Sequence, residues 1–318
     1  MKKAFLMVLA CLLLAGCGAP SETVTPTDSW PDSALAETNE AAAESSPEPI
    51  STAPAESPPA TAPAEPLSAP AVVTEGRTPE EDYQLPTQVV GLRDWMGNSR
   101  WNLDPVGLLS QLPDQEVALY GVTKYSGSTA LLRWGDALAE FDWSFGGPQV
   151  VEPRLQCWDA DGDGQEEVVL INLLGSGTGV SIEELHIVEK NQDGTLTDHC
   201  FPETLWRDAL SGQLSVVTAE DRTYAVLGRE LVDLTDVLAA ENIAPGAVQG
   251  LTTGSQASFS AWPHEKEPGG SLRFQGAVML EGEDIPYYWY VADLSASVSY
   301  QDGGFTLSEI HLDSVPES

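Results

Sequence analysis

The sequence predicts a mostly β domain that follows a long polar N-terminal segment. From about residue 83, short apolar or alternating stretches are separated by turns rich in Gly, Asn, Asp and Ser, which is typical of strands joined by tight connections. No stretch keeps a helical period over several turns, so only short helices are expected. One helix is predicted over 202–211, and 231–241 is ambiguous between helix and strand, although its alanines favour a helix. The predicted architecture is a set of antiparallel meanders with short helices.

Residues 1–16 have the features of an export signal. Lys2 and Lys3 precede a short apolar run, which is shorter than the roughly 20 residues of a membrane-spanning helix. The run ends in Leu14-Ala15-Gly16-Cys17, which resembles the bacterial lipobox, where the chain is cleaved before a cysteine that carries lipid. The resemblance implies a lipidated Cys17 and attachment to the extracytoplasmic face of the cell membrane, made stable by two or more acyl chains.

Residues 17–82 are predicted to be a disordered linker. Pro, Ala, Ser, Thr and Glu dominate this segment, and Trp30 is the exception to its lack of aromatic residues. Such a composition buries too little apolar surface to offset the entropy that is lost on ordering. Because prolines and like charges keep a chain extended, the linker is expected to hold the β-rich domain, 83–318, away from the lipid headgroups.

The overall charge excludes one class of partner. The chain carries 14 Lys and Arg against 49 Asp and Glu side chains, a net charge of −35. Nucleic acid would be repelled by such a surface, and so would anionic lipid headgroups. The acidity suits solubility and cation binding, and the alternative interpretation is that much of this charge simply solvates the linker.

The most specific pattern in the chain is the acidic loop, residues 159–167, with the sequence Asp-Ala-Asp-Gly-Asp-Gly-Gln-Glu-Glu. Alternate residues project to the same side of a tight loop, so the first three carboxylates can converge on one point. Gly164 permits the sharp bend, and the backbone carbonyl of residue 165 can supply a further oxygen. Five protein oxygens plus water suit Ca²⁺, which takes six to eight oxygen ligands. The predicted calcium ligands are Asp159, Asp161, Asp163, Gln165 and Glu167. The alternative is an exposed Asp-Gly turn without an ion.

The acidic loop is not a complete EF-hand, because its twelfth position is Leu170, where an EF-hand needs glutamate. It matches the shorter DxDxDGxx(D/E) loop, followed by the apolar strand 168–171. Here the chain resembles the FG-GAP/VCBS-type repeats of bacterial surface proteins and integrin-like propellers, over about residues 154–201. The resemblance implies a structural calcium ion and a small or degenerate β-propeller-like fold. A β-sandwich is the alternative, since only one such loop is present and 83–318 is too short for seven blades.

The remaining candidates are weaker. Cys157 and Cys200, the two cysteines of the β-rich domain, could form a disulfide or be small buried hydrophobic residues. His186 has no partner at an informative spacing and is interpreted as an ordinary strand histidine. Gly175–Gly179 lacks the features of a phosphate-binding loop and is predicted to be a hairpin turn.

The predicted function is that of a binding or structural module. Trp95, Trp101 and the aromatic run 287–290 could face a sugar ring, although packing in the core is the favoured interpretation. The sequence thus predicts a membrane-anchored extracytoplasmic lipoprotein that binds structural calcium and meets a glycan or protein ligand at the cell envelope. It is not expected to be an enzyme. The alternative is an envelope enzyme that acts on glycans or peptides through catalytic residues that a single sequence does not reveal.

Overall fold

The computed structural model describes residues 66–315, except 80, 100–104, 125–126, 146–150, 178–179, 264–269, 283–284 and 286–288. The predicted signal segment, Cys17 and the predicted linker up to residue 65 lie outside the described residues. The described part of the chain is mostly β, as predicted, and includes three short helices. None of the helices in this part has the length and apolar character that crossing a membrane requires.

The elements are numbered in chain order. The helices are α1 (Leu92–Ser99), α2 (Glu203–Ser211) and α3 (Thr235–Ala240). The strands are β1 (Leu67–Pro70), β2 (Val72–Glu75), β3 (Val106–Leu112), β4 (Val117–Lys124), β5 (Gly127–Trp134), β6 (Ala137–Phe141), β7 (Arg154–Trp158), β8 (Glu167–Gly177), β9 (Val180–Lys190), β10 (Leu196–Phe201), β11 (Leu214–Ala219), β12 (Arg222–Leu227), β13 (Glu230–Asp233), β14 (Gly250–Pro263), β15 (Gly270–Glu281), β16 (Tyr290–Gln301) and β17 (Gly304–Ser314).

The largest sheet has ten strands and consists of two antiparallel halves. One half has the order β7-β8-β9-β10-β2, and the other has the order β14-β15-β16-β17-β1. The halves join where β14 runs parallel to the start of β9, with Gln256 opposite Ser181 and Ala257 opposite Ile182. Arg154 reinforces this junction, because its guanidinium bonds both the Glu183 carboxylate, at 2.6 Å, and the Phe259 carbonyl, at 2.8 Å.

The predicted linker boundary at residue 82 is wrong, because β1 and β2 lie within the segment that composition assigns to the linker. β1 pairs with β17 and β2 pairs with β10, so one continuous segment adds a strand to each half of the sheet. Edge strands are held by backbone hydrogen bonds and tolerate proline, as at Pro70. Val72 and Val73 are about half exposed, at 49% and 55%, which explains why this segment carries no burial pattern. The folded domain therefore begins well before residue 83.

β8 is apolar without alternation because it is buried on both faces. Val169 and Ile171 belong to the larger core, with residues of β14–β17, while Val168 and Leu170 face a second core. That second core lies against a four-stranded antiparallel sheet of order β3-β4-β5-β6. Two facing sheets are the arrangement that the sandwich alternative requires. The sheets of the described residues show neither a closed ring nor separate blades, so the propeller-like form is not seen there.

A small third sheet and two helices cover the other side of the larger core. The third sheet has the order β11-β12-β13, and Trp206 and Leu210 of α2 are fully buried beside it. The helix predicted over 202–211 is confirmed as α2. The helix predicted over 231–241 is correct only for its second part: β13 ends first, and the Asp233 carboxylate accepts a hydrogen bond from the Thr235 N–H at 2.9 Å as α3 begins.

Candidate metal centre

The acidic loop joins two neighbouring strands. β7 ends at Trp158 and β8 begins at Glu167, and these two residues are opposite each other in the antiparallel pair. The strand pairing therefore brings the two ends of the loop together, so that Asp159 and Glu167 become spatial neighbours. The apolar strand predicted over 168–171 is confirmed as part of β8.

Within the loop, carboxylates bind the backbone of the residues that follow them. Asp159 accepts hydrogen bonds from the Gly162 N–H at 2.8 Å and the Gly164 N–H at 3.1 Å. Asp161 accepts one from the Asp163 N–H at 2.9 Å. Gly162 and Gly164 have φ angles of +82° and +91°, in the left-handed region that favours glycine. The loop is thus wound tightly, with Asp159 and Asp161 bonded to backbone N–H groups further along it.

Three of the five predicted ligands converge. Asp159, Asp161 and Glu167 each offer one oxygen, and these oxygens all lie within 4.8 Å of one another. Glu167 is buried, and it accepts a hydrogen bond from the Ala160 N–H at 2.6 Å. Asp163 lies outside this group of three carboxylates and is exposed, as is Gln165, whose side-chain amide donates to the Asp163 carboxylate at 2.9 Å. The oxygen predicted for Gln165 is its backbone carbonyl, so this side-chain contact leaves that prediction standing.

The converging carboxylates disfavour one another's charge. The pKa of Glu167 is raised from 4.5 to about 7, first by burial and then by repulsion from Asp161, Asp163 and Asp159, against the Ala160 hydrogen bond, which lowers it. The pKa of Asp161 is also raised, with burial as the largest cause. A cation at this position would offset both the burial and the repulsion. The oxygen-only donor set fits a hard divalent ion such as Ca²⁺.

Sequence reasoning missed a second group, which we call the β9–β10 cluster: Glu184, His186, Asp198 and Cys200. His186 lies directly opposite Cys200 in the β9–β10 pair. Because strand residues two apart share a face, Glu184 and Asp198 project to the same side as these two. The face is the one covered by the four-stranded sheet, where Trp143 lies against His186 with ring centroids 4.9 Å apart. A histidine that is isolated in sequence therefore has three functional neighbours in space.

The cluster is buried and partly hydrogen-bonded. His186 is only 2% exposed, and its Nδ1 lies 3.0 Å from Asp198 Oδ2, which also accepts a hydrogen bond from Trp143 Nε1 at 2.7 Å. Burial lowers the pKa of His186, but interactions with Asp198 and with Cys200 together outweigh it and raise that pKa well above its usual value. The structure has Cys157 and Cys200 as free thiols, so it shows no disulfide between them.

The other candidates lie in the core or outside the described residues. Trp95 is 2% exposed and packs edge-on against Phe145, so it offers no face to a sugar. Trp101, Tyr287 and Tyr288 lie outside the described residues. Residues 175–177 form the end of β8, and Gly177 is opposite Val180, the first residue of β9, as the predicted hairpin requires. Residues 178–179 lie outside the described residues.

Comparison with protein families, with characterised proteins and with solved structures finds no match to this chain. The likeness to FG-GAP/VCBS-type repeats therefore rests on the acidic loop and its flanking strands alone. Any function must be argued from the residues themselves.

Proposed function

We propose that the acidic loop binds a structural calcium ion that holds the β7–β8 connection in place. The observation that carries the proposal is the convergence of Asp159, Asp161 and Glu167 oxygens within 4.8 Å, with one of these carboxylates buried. When carboxylates lie this near one another in a partly buried position, they are stable as anions only if a compensating charge is present. Water molecules and backbone carbonyls would complete the six to eight oxygens that Ca²⁺ takes.

The position of the loop gives this ion a structural role. β8 lies between the two cores of the domain, and Trp158 at the end of β7 is buried in the larger one. An ion that binds the first and last residues of the loop would lock the register of these strands. Since it binds the folded state and not the unfolded chain, calcium would stabilise the domain by mass action.

In the cell, this domain would act as a binding or structural module at the envelope. The lipobox-like Leu14–Cys17 supports attachment to the extracytoplasmic face of the membrane, and the polar composition up to residue 65 supports a spacer. The surface for a glycan or protein ligand is best sought beside the acidic loop. There a groove of about 420 Å³ is lined by Trp134, Asp163, Gln165, Glu166, Glu167, Glu189, Lys190, Asn191 and Gln192.

A thermal melt of the full chain tests the calcium site, with Ca²⁺ titrated against a chelator and Mg²⁺ as the ionic control. We expect Ca²⁺ to raise the melting temperature by several degrees, because a ligand at about 100 times its Kd adds roughly 2.7 kcal/mol. Mg²⁺ should have little effect, since it prefers fewer protein ligands and a smaller octahedron.

The substitution Asp161→Ala should abolish the response to Ca²⁺. Asp193→Ala is the matched control, because Asp193 likewise accepts a backbone hydrogen bond two residues ahead, from the Thr195 N–H at 3.0 Å, but lies outside the loop. It should respond to Ca²⁺ as the parent chain does. A parent chain that melts sharply without any shift in Ca²⁺ would refute the proposal, as would a shift that survives in Asp161→Ala.

A further inference from the structure

The β9–β10 cluster contains three kinds of donor atom around one point. One atom each from Glu184, His186 and Cys200 lies within 4.8 Å of the other two, and the Glu184 Oε2 and His186 Nε2 atoms are 3.5 Å apart. These distances are close to what three ligands of a single ion require, because metal bonds to nitrogen, oxygen and sulfur are about 2.0–2.3 Å long. Small side-chain rotations would complete the approach.

We propose that Glu184, His186 and Cys200 form a second metal site, for a zinc-class transition-metal ion. The ligands are the Cys200 thiolate, His186 Nε2 and a carboxylate oxygen of Glu184. A water molecule takes the fourth, open position of the tetrahedron. When the ion binds, Cys200 loses its thiol proton and His186 loses any proton on Nε2. Both protons pass to solvent.

An unpartnered nitrogen supports the site. His186 is only 2% exposed, yet among the described residues its Nε2 makes no hydrogen bond of good geometry: Glu184 Oε2 is 3.5 Å away, and Cys200 is the other neighbour in the group. A buried polar atom without a partner is costly, so it calls for a missing ligand. Asn172 of β8, which is opposite Glu184, also has a buried Oδ1 without a partner within the described part of the chain.

The other ring nitrogen of His186 has the support that metal-bound histidines show. Nδ1 faces Asp198 at 3.0 Å, and Asp198 is in turn held by the Trp143 indole N–H. A carboxylate on the far nitrogen fixes the ring orientation and leaves Nε2 free to bind a metal. Asp198 is therefore a positioning residue and not a ligand.

The donor set distinguishes this site from the acidic loop. Thiolate and imidazole ligands favour Zn²⁺ and related ions, whereas Ca²⁺ and Mg²⁺ take oxygen ligands. A nucleophilic role for Cys200 is a poorer fit, because this residue is 9% exposed and lies beneath the second sheet. The Glu184 side chain is 19% exposed, so an ion can enter from the surface without a substrate-sized cleft.

Cobalt binding to the reduced full chain tests the proposal, with calcium present to occupy the acidic loop. We expect one equivalent of Co²⁺ to give a thiolate-to-cobalt charge-transfer band, which Zn²⁺ then removes. Cys200→Ser should lose the band, and Cys157→Ser, which alters the other thiol of the domain, should keep it. Cys11 and Cys17 stay unchanged in both variants, so they cannot account for a difference.

Competition with a chromophoric zinc chelator gives the affinity. Asp198→Asn is expected to weaken zinc binding about 10- to 100-fold while the band persists, as for other outer-shell changes. Glu184→Gln, at the most exposed ligand, should weaken it at least tenfold, and its far-ultraviolet circular dichroism should match the parent chain. Absence of the band in the parent chain would overturn the proposal, and so would a band that remains in Cys200→Ser or is lost in Cys157→Ser.

The two metal proposals can fail independently. Asp161→Ala disrupts the acidic loop and should leave the cobalt band intact. Excess Ca²⁺ should not remove the Co²⁺ band of the β9–β10 cluster. If either treatment abolished the band, Co²⁺ binding would depend on the acidic loop, and an independent second site would be refuted.

Discussion

The acidic loop and the β9–β10 cluster bring their donor atoms together in opposite ways. In the loop, the carboxylates come from one short stretch, and their positions depend on its own turns and on two left-handed glycines. In the cluster, the donors come from two strands whose backbone ladder places Cys200 opposite His186. Under the two proposals, a cation would offset the repulsion within the loop, whereas the sheet already holds the donors of the cluster in place. Removing calcium should change stability, and removing zinc should leave the scaffold folded.

The largest loss of stability is expected from a change in β8, because both the acidic loop and the β9–β10 cluster depend on this strand. Leu170 of β8 is fully buried and lies opposite both Leu155 of β7 and His186 of β9. Leu170→Ala should lower the free energy of unfolding by about 2–5 kcal/mol, and it should weaken both calcium and zinc binding. Urea unfolding in chelator measures the first effect.

Leu231→Ala is the control for this substitution, because Leu231 is 45% exposed. It should change the free energy of unfolding by no more than about 0.5 kcal/mol. If Leu170→Ala lowered the free energy of unfolding by as little as Leu231→Ala, the description of β8 as buried on both faces would be wrong. The acidic loop and the β9–β10 cluster would then not depend on β8 together.

A smaller effect on stability is expected from the titration of Glu167 in the loop. The pKa of Glu167 is raised from 4.5 to about 7, chiefly by burial. As pH rises through this interval, the unfolded chain gives up this proton before the folded one, so the unfolding free energy without calcium should fall by on the order of 1–3 kcal/mol. Above about pH 7 this contribution should stay constant, and calcium should suppress it.

Glu167→Gln isolates this contribution, because glutamine does not titrate and can still accept the Ala160 N–H. Thermal melts in chelator from pH 4 to 8 should show the parent chain losing stability relative to this variant as pH rises. If the stability difference between the parent chain and Glu167→Gln did not change with pH, the pKa of Glu167 in the folded chain would not be raised.

These two regions also show what the sequence can predict. The strands from β4 to β10 follow from alternation and turn residues, and the loop follows from its spacing, because both are local signals. The β9–β10 cluster depends on register, which a single sequence does not contain. β1 and β2 gain little burial, so their composition resembles a linker. The sequence analysis predicts no helix at α1, although Leu92, Trp95 and Met96 have helical spacing.

The smallest loss of stability is expected from a backbone change in the acidic loop that leaves every predicted calcium ligand in place. Gly164 has a φ of +91°, and open space surrounds the position of an added Cβ, so Gly164→Ala adds backbone strain without a clash. We expect a cost of about 1–2 kcal/mol and weaker calcium binding, measured by urea unfolding and calorimetric titration. Gly175→Ala, also in open space but without a left-handed φ, should change stability by less than about 0.5 kcal/mol. If both variants lost the same free energy of unfolding, the loop would be able to relax around an alanine at position 164. The left-handed turn at Gly164 would then not be what holds the loop carboxylates in position.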